Sequence, residues 1–320
     1  MPNYDLIVIG AGIAGMTAAL SAAKSGVKNI LVIEKESNVG GIINQCIHNG
    51  FGQTLIGESV TGPEYIEFIK KNIEKENVEL IVNSDVLDIS RDKVVTYVNP
   101  NEGVKEVSAD AIILALGARE EYSGNIMIST NLLTGIFTIG EAQRIVNLYG
   151  YIPGRNSIIT AKDKWGFLLA RRLIIEGGTI SAVVLEDDFK SLENEEIHNI
   201  IDGFDIPIID RARVIGIEGK TRVSSVTLQS LDDESILKKE CDCLLLSVSF
   251  IPKLRSLKKL KMDIDKDTLG IKVTDYMTSV DGFFACGNII YGEEIFKMTD
   301  VNGIDCGKKA AQYIKNNKYC

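Results

Sequence analysis

Residues 10–15, which read GAGIAG, constrain the fold of this chain more than any other segment. They follow an apolar run over residues 4–9 that predicts a β-strand, and they open a small-residue run to about residue 25 that predicts a helix. In such a turn the first glycine permits a tight bend, the second lets the backbone approach a pyrophosphate, and the third lets helix and strand pack closely. Unpaired N–H groups at the start of the helix can then bind phosphate.

Glu34 completes this pattern, because it ends a second predicted strand over residues 29–34. A carboxylate at that position can accept hydrogen bonds from the ribose of an adenosine. Strand, glycine turn, helix, second strand and acidic residue all occur in order. The start of the chain is therefore predicted to be a βαβ unit that binds a dinucleotide, although the glycines alone do not distinguish FAD from NAD.

The remaining sequence predicts an α/β protein with two units of this kind. Residues 79–116 form short β-rich runs broken by turns, which predicts an antiparallel meander. A second strand-turn-helix-strand pattern begins near Asn156, with a helix over about 167–176 and a strand over 180–185. The simplest architecture is two Rossmann-like domains, the second inserted into the first, with antiparallel β meanders.

Composition narrows the classes of partner and compartment. The formal net charge is −9, with 45% hydrophobic residues, which disfavours binding to nucleic acid or anionic lipid. No apolar run approaches the roughly 20 residues that cross a bilayer, and the N-terminus lacks the basic and apolar regions of a secretory signal. We expect a cytoplasmic protein without an integral membrane segment. Six scattered cysteines without a Cys-x-x-Cys pair predict neither a disulfide framework nor a metal site.

Two distant segments carry a family resemblance. Residues 111–118 form an apolar strand that ends in LGA. Residues 278–288, TSVDGFFACGN, contain a similar apolar run followed by a glycine near the C-terminus. With residues 10–15, and in this order and spacing, they resemble the FAD-dependent pyridine nucleotide-disulfide oxidoreductases of thioredoxin-reductase size. The resemblance implies that the N-terminal domain holds FAD, that Gly287 and Asn288 lie against its ribityl-phosphate arm, and that the helix after Asp300 points its N-terminus at the flavin ring.

The family usually carries aspartate where this chain has Asn288, which can still bond a ribityl hydroxyl but brings no charge. The resemblance divides the chain into a discontinuous FAD-binding domain (1–120 and 270–320), a connector (121–155), an NAD(P)-binding-like domain (156–250) and a basic connector (251–269). The residues predicted to contact the cofactor are Gly10, Gly12, Ile13, Ala14, Gly15, Glu34, Lys35, Gly40, Gly41, Ile42, Ala115, Gly117, Ala118, Gly287, Asn288, Asp300 and Val301.

Residues 40–52, GGIINQCIHNGFG, resemble a narrower branch. This branch comprises FAD-dependent oxidoreductase subunits found alongside glycerol-3-phosphate dehydrogenases, related more distantly to flavoprotein subunits of hydroxyproline and opine dehydrogenases. The resemblance implies a heteromeric complex with a dehydrogenase subunit or an electron carrier as protein partner, and a hetero- or homo-oligomer.

The second dinucleotide motif is degenerate. The corresponding turn, residues 161–166, reads AKDKWG and keeps only the third glycine, Gly166. Asp163 stands where the backbone should approach a pyrophosphate, and the repulsion between the two charges is worth about 1 to 4 kcal/mol at contact. We therefore expect that this domain does not bind NAD(P)H in the ordinary pose, so that electrons reach or leave the flavin through a partner.

Cys46 and His48 are the candidate catalytic residues, because related disulfide reductases carry redox cysteines at this place. A thiolate there could form a charge-transfer pair or an adduct with flavin, and His48 could lower its pKa or relay a proton. Packing alone is the competing interpretation for Cys46. The main hypothesis is a FAD-containing subunit that exchanges electrons with a partner. The alternatives are an NAD(P)H-dependent flavin reductase using Cys46 and a non-catalytic assembly subunit that keeps FAD as a structural ligand.

Overall fold

The computed structural model describes residues 1–121, 133–192, 195–291 and 301–318. The chain divides into two compact units: Met1–Arg119 with Phe250–Cys320, and Glu120–Ser249. The strands are β1 (Asn3–Ile9), β2 (Ile30–Ile33), β3 (Asn49–Phe51), β4 (Val60–Thr61), β5 (Glu79–Ile81), β6 (Asp85–Ile89), β7 (Val94–Asn99), β8 (Gly103–Leu114), β9 (Ala118–Glu120), β10 (Ile136–Thr138), β11 (Asn156–Thr160), β12 (Thr179–Val184), β13 (Ile208–Ile209), β14 (Ala212–Gly219), β15 (Val223–Ser230), β16 (Ile236–Glu240), β17 (Cys243–Leu246), β18 (Phe250–Pro252) and β19 (Phe283–Ala285). The α-helices are α1 (Ile13–Lys24), α2 (Gly62–Lys75), α3 (Ile139–Tyr149), α4 (Lys164–Ile175), α5 (Glu195–Phe204), α6 (Asn288–Tyr291) and α7 (Val301–Lys318).

The first unit is built on a seven-stranded sheet in the order β5-β2-β1-β8-β7-β6, with β19 also paired to β8. The long strand β8 joins the two halves of this sheet. Its first half pairs with β7 in antiparallel register, and its second half runs parallel to β1 and to β19. The predicted parallel start and antiparallel meander are both confirmed.

Helices α1 and α7 pack unusually closely on one face of this sheet, because α7 presents glycine to the backbone of α1. A Cβ added at Gly303 would lie 2.4 Å from the carbonyl oxygen of Ala14, and one added at Gly307 would lie 2.2 Å from that of Ala18. The Ser21 hydroxyl also donates to the carbonyl of Ile304 at 2.7 Å. These contacts fix the first half of α7 along α1.

The second unit contains a parallel five-stranded sheet in the order β10-β17-β11-β12-β13 and an antiparallel three-stranded sheet, β14-β15-β16. Apolar faces of α3, α4 and α5 form one core with the parallel strands. The fold is therefore α/β, with two Rossmann-like domains, the second inserted into the first. None of the helices within the described residues is long and apolar enough to cross a membrane.

The two segments expected to be connectors contribute regular structure instead. Within 121–155, β10 joins the parallel sheet of the second unit, and Thr138 caps α3 through a bond from the N–H of Glu141. Within 251–269, a 3₁₀ helix over Arg255–Leu260 buries Leu257 and Leu260 in the core of the first unit. Its lysines face solvent, and its leucines pack inward. The high charge of the segment hides this apolar pattern in the sequence.

Candidate functional site

The carboxyl ends of four parallel strands meet at one edge of the first sheet. Ile9 at the end of β1 pairs with Ile33 of β2 and with Leu114 of β8, and Leu114 pairs with Ala285 of β19. Open α/β sheets bind their ligands outside the carboxyl ends of their strands. This edge is therefore the candidate site of the first unit.

The three glycines between β1 and α1 meet three different steric requirements. Gly10 has φ +101°, and a Cβ there would lie 2.4 Å from the carbonyl oxygen of Ala115; a Cβ at Gly15 would lie 1.9 Å from that of Gly10. Around Gly12, by contrast, an added Cβ would meet no atom of a described residue within 4 Å. Gly12 also begins α1 without a side-chain cap. Open space and exposed helix N–H groups at Gly12 suit a pyrophosphate.

A second glycine pair lies against this turn. The N–H of Gly40 donates to the carbonyl of Ala11 at 2.7 Å, and Gly12 and Gly40 form an isolated parallel bridge. Gly41 has φ +57°, and its Cβ would lie 3.3 Å from the Cα of Gly12. Ile42 follows with its side chain 42% exposed. The predicted residues 40–42 and 10–15 are thus brought together.

Glu34 is a buried carboxylate beside the same turn. Its Oε2 accepts from the N–H of Ala11 at 2.7 Å and its Oε1 from the N–H of Glu36 at 2.9 Å. Each carboxylate oxygen can accept a further bond, so capacity for ribose hydroxyls remains. The neighbouring Lys35 is mostly exposed and forms an ion pair with Asp85 at 3.8 Å; as an exposed pair it contributes little stability.

The turn after β19 supplies a buried acceptor. Gly287 has φ +76° and leads into Asn288, which is 6% exposed and whose Oδ1 has no hydrogen-bond partner among the residues that the structure describes. A buried unsatisfied acceptor costs free energy, and a ribityl hydroxyl would satisfy it. After β8, Ala115 is buried, Gly117 has φ +70° with open space around an added Cβ, and Ala118 is half-buried.

The starts of α1, α6 and α7 converge on one carbonyl, that of Ala14. Gly303 packs against it, and the Cys286 thiol, two residues before α6, donates to it with Sγ at 3.7 Å. Val301 begins α7, whereas Asp300 lies outside the described residues. The donors near Gly12, the acceptors of Glu34 and the orphaned oxygen of Asn288 together fit FAD, which would supply the redox chemistry when bound.

Cys46 is placed differently from what a redox thiolate requires. It is 5% exposed, and its thiol donates weakly to the carbonyl of Ile42, with Sγ at 3.7 Å. Burial raises the pKa of Cys46 from its ordinary value of 9.0 to about 12, so the thiol stays protonated near neutral pH. The structure thus argues against the predicted thiolate. His48 is half-buried, with Nδ1 2.8 Å from the carbonyl oxygen of Asn49 and its ring 5.4 Å from that of Phe51.

In the second unit, Asp163 caps α4 at the degenerate turn. Its Oδ1 accepts from the N–H of Trp165 at 2.9 Å, and burial raises the pKa of its carboxyl group. The Lys164 ammonium lies over the Trp165 ring and 3.2 Å from Glu196. A Cβ at Gly166 would lie 2.5 Å from that of Ala161, so packing alone accounts for the one glycine retained.

Sequence reasoning missed Asn302, in the first turn of α7. The hydroxyls of Tyr276 and Tyr291 both donate to its side-chain oxygen, at 3.3 Å and 3.2 Å. The tyrosines lie 26 and 11 residues before the asparagine in sequence. No local motif could have marked this cluster.

Comparisons with known proteins agree with this architecture. The chain is 22% identical over 304 residues to a thioredoxin reductase of Treponema pallidum, covering 90% of this chain and 89% of that protein. It is 23% identical over 327 residues to a ferredoxin–NADP reductase of Neorickettsia sennetsu, covering 98% and 93%. It is 28% identical over 192 residues to an opine oxidase subunit of Rhizobium meliloti, covering 57% of this chain but only 35% of that protein.

Among solved structures, the bacillithiol disulfide reductase of Bacillus cereus has a TM-score of 0.79 at 19% identity, covering 98% of this chain and 99% of that one. At this identity the likeness shows the fold alone. The pyridine nucleotide-disulphide oxidoreductase family model matches residues 4–312. The chain therefore belongs to that family and is a FAD-dependent oxidoreductase.

Proposed function

We propose that the flavin of this oxidoreductase exchanges electrons with a protein partner, a dehydrogenase subunit or an electron carrier, and that the second unit does not take NAD(P)H in the ordinary pose. In this proposal FAD lies at the edge formed by β1, β2, β8 and β19. Gly10, Gly12 and Gly15 admit its pyrophosphate, Glu34 accepts from its ribose, and Asn288 accepts from its ribityl chain. These roles follow from the chemistry that each position offers.

The observation that carries the proposal is the cap at Asp163. A dinucleotide pyrophosphate in the ordinary pose needs the first N–H groups of α4 and a close approach to the backbone. Asp163 already accepts from the N–H of Trp165 and adds negative charge at the same turn. A bound pyrophosphate would have to displace this carboxylate and lose the cap, which is worth about 0.5–2 kcal/mol.

A heteromeric context receives support from the relatives. Several are named as subunits, those of opine oxidase and of sarcosine oxidase among them. They match this chain over a minor part of their own length, 35% and 26%. The glycerol-3-phosphate connection rests on the resemblance of residues 40–52, so the compound oxidised in the complex stays a prediction.

A second candidate is an NAD(P)H-dependent reductase, and the comparisons favour it. The thioredoxin reductase and the ferredoxin–NADP reductase match this chain over 90% and 98% of its length, whereas the oxidase subunits match a smaller part. In this candidate, NAD(P)H would bind the second unit in a pose that leaves Asp163 in place. The burial of Cys46 argues against a thiolate in either candidate.

One titration separates the two candidates. The purified chain carrying FAD is titrated anaerobically with NADH and then NADPH while the flavin absorbance is followed, and dithionite is added last. The main proposal expects the flavin to stay oxidised until dithionite is present. Rapid stoichiometric bleaching by either nucleotide would establish the reductase instead.

A further inference from the structure

The segment that follows β18 presents a row of cations at the surface of the first unit. Arg255–Leu260 forms a 3₁₀ helix, which has three residues per turn, so that side chains three residues apart lie in one row. One row packs on the core of the first unit and consists of Leu254, Leu257 and Leu260. The next row is exposed and consists of Arg255, Lys258 and Lys261. The segment therefore turns its leucines inward and its cations to solvent.

Two further exposed lysines extend this row, Lys253 before the helix and Lys259 within it. We call the whole set the basic stripe: Lys253, Arg255, Lys258, Lys259 and Lys261. No acidic residue occurs between Asp242 and Asp263 in the sequence. Within the described part of the chain, only Lys259 of the stripe forms an ion pair, with Asp88 at 2.7 Å. The other cations of the stripe thus stay without an ion pair among these residues, in a chain whose formal net charge is −9.

Gathering these cations in one row costs the free chain stability. Side chains three residues apart on a 3₁₀ helix eclipse each other, and like charges on neighbouring positions of a helix repel. The ion pair of Lys259 offsets little of this repulsion, because the lysine side chain is 75% exposed. A negatively charged surface laid against the row would relieve the repulsion and be guided to it. The basic stripe is therefore suited to an acidic partner.

The basic stripe begins beside the candidate flavin site. The N–H of Lys253 donates to the carbonyl of Gly117 at 3.0 Å, in the turn after β8 that is predicted to contact the cofactor. The strand β18, which leads into the stripe, packs against α6, and α6 begins with Asn288. At the far end of the stripe the Arg91 guanidinium donates to the carbonyl of Leu260 at 2.8 Å. At about 2.0 Å per residue the 3₁₀ helix spans about 12 Å, so a partner on the stripe lies next to the edge where we place the flavin.

We propose that the basic stripe is the docking surface for the electron-exchange partner, and that this partner is a small acidic electron-carrier protein. The inference rests on the proposed function and adds the chemistry of the partner and its place of contact. A carrier must bring its redox centre to the flavin edge, and the stripe adjoins that edge. Nucleic acid and anionic lipid surfaces are also negative, but they extend far beyond the stripe, where the acidic remainder of the chain repels them. A compact acidic protein can match the stripe alone.

The test measures how fast a reduced, acidic [2Fe–2S] ferredoxin reduces the flavin of the FAD-loaded chain. The proteins are mixed without oxygen in a stopped-flow instrument. Two ferredoxins lose one electron each, and FAD takes both electrons with two protons from solvent. The second-order rate constant is measured at about 0.01 M ionic strength, where charges act over about 30 Å, and at about 1 M, where they act over about 3 Å. We expect the wild-type rate constant to fall at least about tenfold between the two conditions, as for other electrostatically steered encounters.

Arg255→Glu/Lys258→Glu reverses two exposed charges of the stripe. At about 0.01 M ionic strength we expect its rate constant to lie at least about tenfold below that of wild type, and at about 1 M to agree within about twofold. Lys70→Glu/Lys75→Glu on α2 is the matched control, because it changes the net charge equally at two exposed lysines of the first unit. It should stay within about twofold of wild type in both conditions. Bound FAD and Tm should be the same in all three proteins.

A basic c-type cytochrome, reduced by the photoreduced flavin, is the second probe, and the stripe variant should react with it no more slowly than wild type. A stripe variant that accepts electrons from ferredoxin at the wild-type rate at low salt overturns the inference, while electron exchange with a partner stands. An equal loss in the control, or a loss with the cytochrome too, also overturns it. So does a variant whose only defect is lost binding to phosphatidylglycerol vesicles, which would assign the stripe to a membrane surface. A wild-type chain that reacts with neither carrier, but whose flavin NADH reduces, overturns the proposed function itself.

Discussion

The side chain of Asp163 accepts a hydrogen bond from the backbone N–H of Trp165, 2.9 Å away, and so closes the start of α4 with a group from the chain itself. In an intact dinucleotide motif this position is a glycine, and the helix start is left for the ligand. The carboxylate takes the place of the phosphate as the anion at the helix N-terminus. The exclusion of NAD(P)H that we propose for this turn should therefore be reversible by substitution.

We predict that Ala161→Gly/Asp163→Gly gains saturable NADH or NADPH binding. The two changes restore the turn glycine and the open approach, and replacing the cap by glycine costs only a few tenths of a kcal/mol. Binding is measured by calorimetry and by flavin bleaching. Asp163→Asn is the matched control, since it removes the charge but keeps the bulk and the capping oxygen. A double variant that binds no better than wild type would show that other parts of the second unit prevent binding.

At the first site we predict that changing Gly12 weakens FAD binding, whereas changing Gly15 lowers the stability of the apoprotein. Gly12→Ala adds a methyl group in open space, so stability should change by less than about 0.5 kcal/mol, while FAD binding weakens at least about tenfold, or ~1.4 kcal/mol. Gly15→Ala pushes a methyl group to 1.9 Å from the carbonyl oxygen of Gly10 and should destabilise the apoprotein by about 1–3 kcal/mol. Urea unfolding and FAD fluorescence titration measure the two effects. Normal FAD affinity in Gly12→Ala would mean that the pyrophosphate does not bind at Gly12.

How much of this site the sequence could predict depends on how local its determinants are. The turn at Gly10, Gly12 and Gly15 and the carboxylate of Glu34 lie within one βαβ unit, where spacing along the chain fixes spacing in space. The contacts of Tyr276 and Tyr291 with Asn302 join three separate parts of the chain, so they become visible only once the fold brings these parts together. In the segment 251–269 the high charge hides the apolar spacing of Leu257 and Leu260, which becomes visible only when the 3₁₀ helix packs on the core.

The sequence around Cys46 also does not show how deeply its side chain is buried. Residues 40–52 place the cysteine next to the glycine pair, but tertiary packing buries it. Gly62, at the start of α2, lies against the loop: its N–H donates to the Cys46 carbonyl at 2.9 Å, and a Cβ there would lie 2.0 Å from the carbonyl oxygen of Ile43. Glycine is required at a distant position to close the loop over the thiol.

This burial predicts alkaline destabilisation. Below about pH 9 the thiol is protonated in both the folded and unfolded chains. As the pH rises from 9 towards 12, the unfolded chain releases this proton while the folded chain, with the pKa of Cys46 at about 12, retains it. The free energy of unfolding therefore falls, by up to ~1.4 kcal/mol per pH unit from this group. Cys46→Ala should show a shallower slope of stability against pH over that range in urea unfolding, and an equal slope would mean that the thiol ionises in the folded state.

The close packing of α1 and α7 yields the last prediction. Gly307→Ala would place a methyl group 2.2 Å from the Ala18 carbonyl oxygen and 3.0 Å from the Cβ of Ser21, so α7 must move away from α1, at a cost of about 1–3 kcal/mol. Gly203→Ala in α5 is the matched control: it is also a helical glycine, but no atom in the described part of the chain lies within 4 Å of the added Cβ. There the better helix propensity of alanine should stabilise by about 0.5–1 kcal/mol. Hydrogen exchange measures local stability in α1 of the first unit and in α5 of the second unit separately. Unchanged exchange in α1 would mean that the helices tolerate a wider separation.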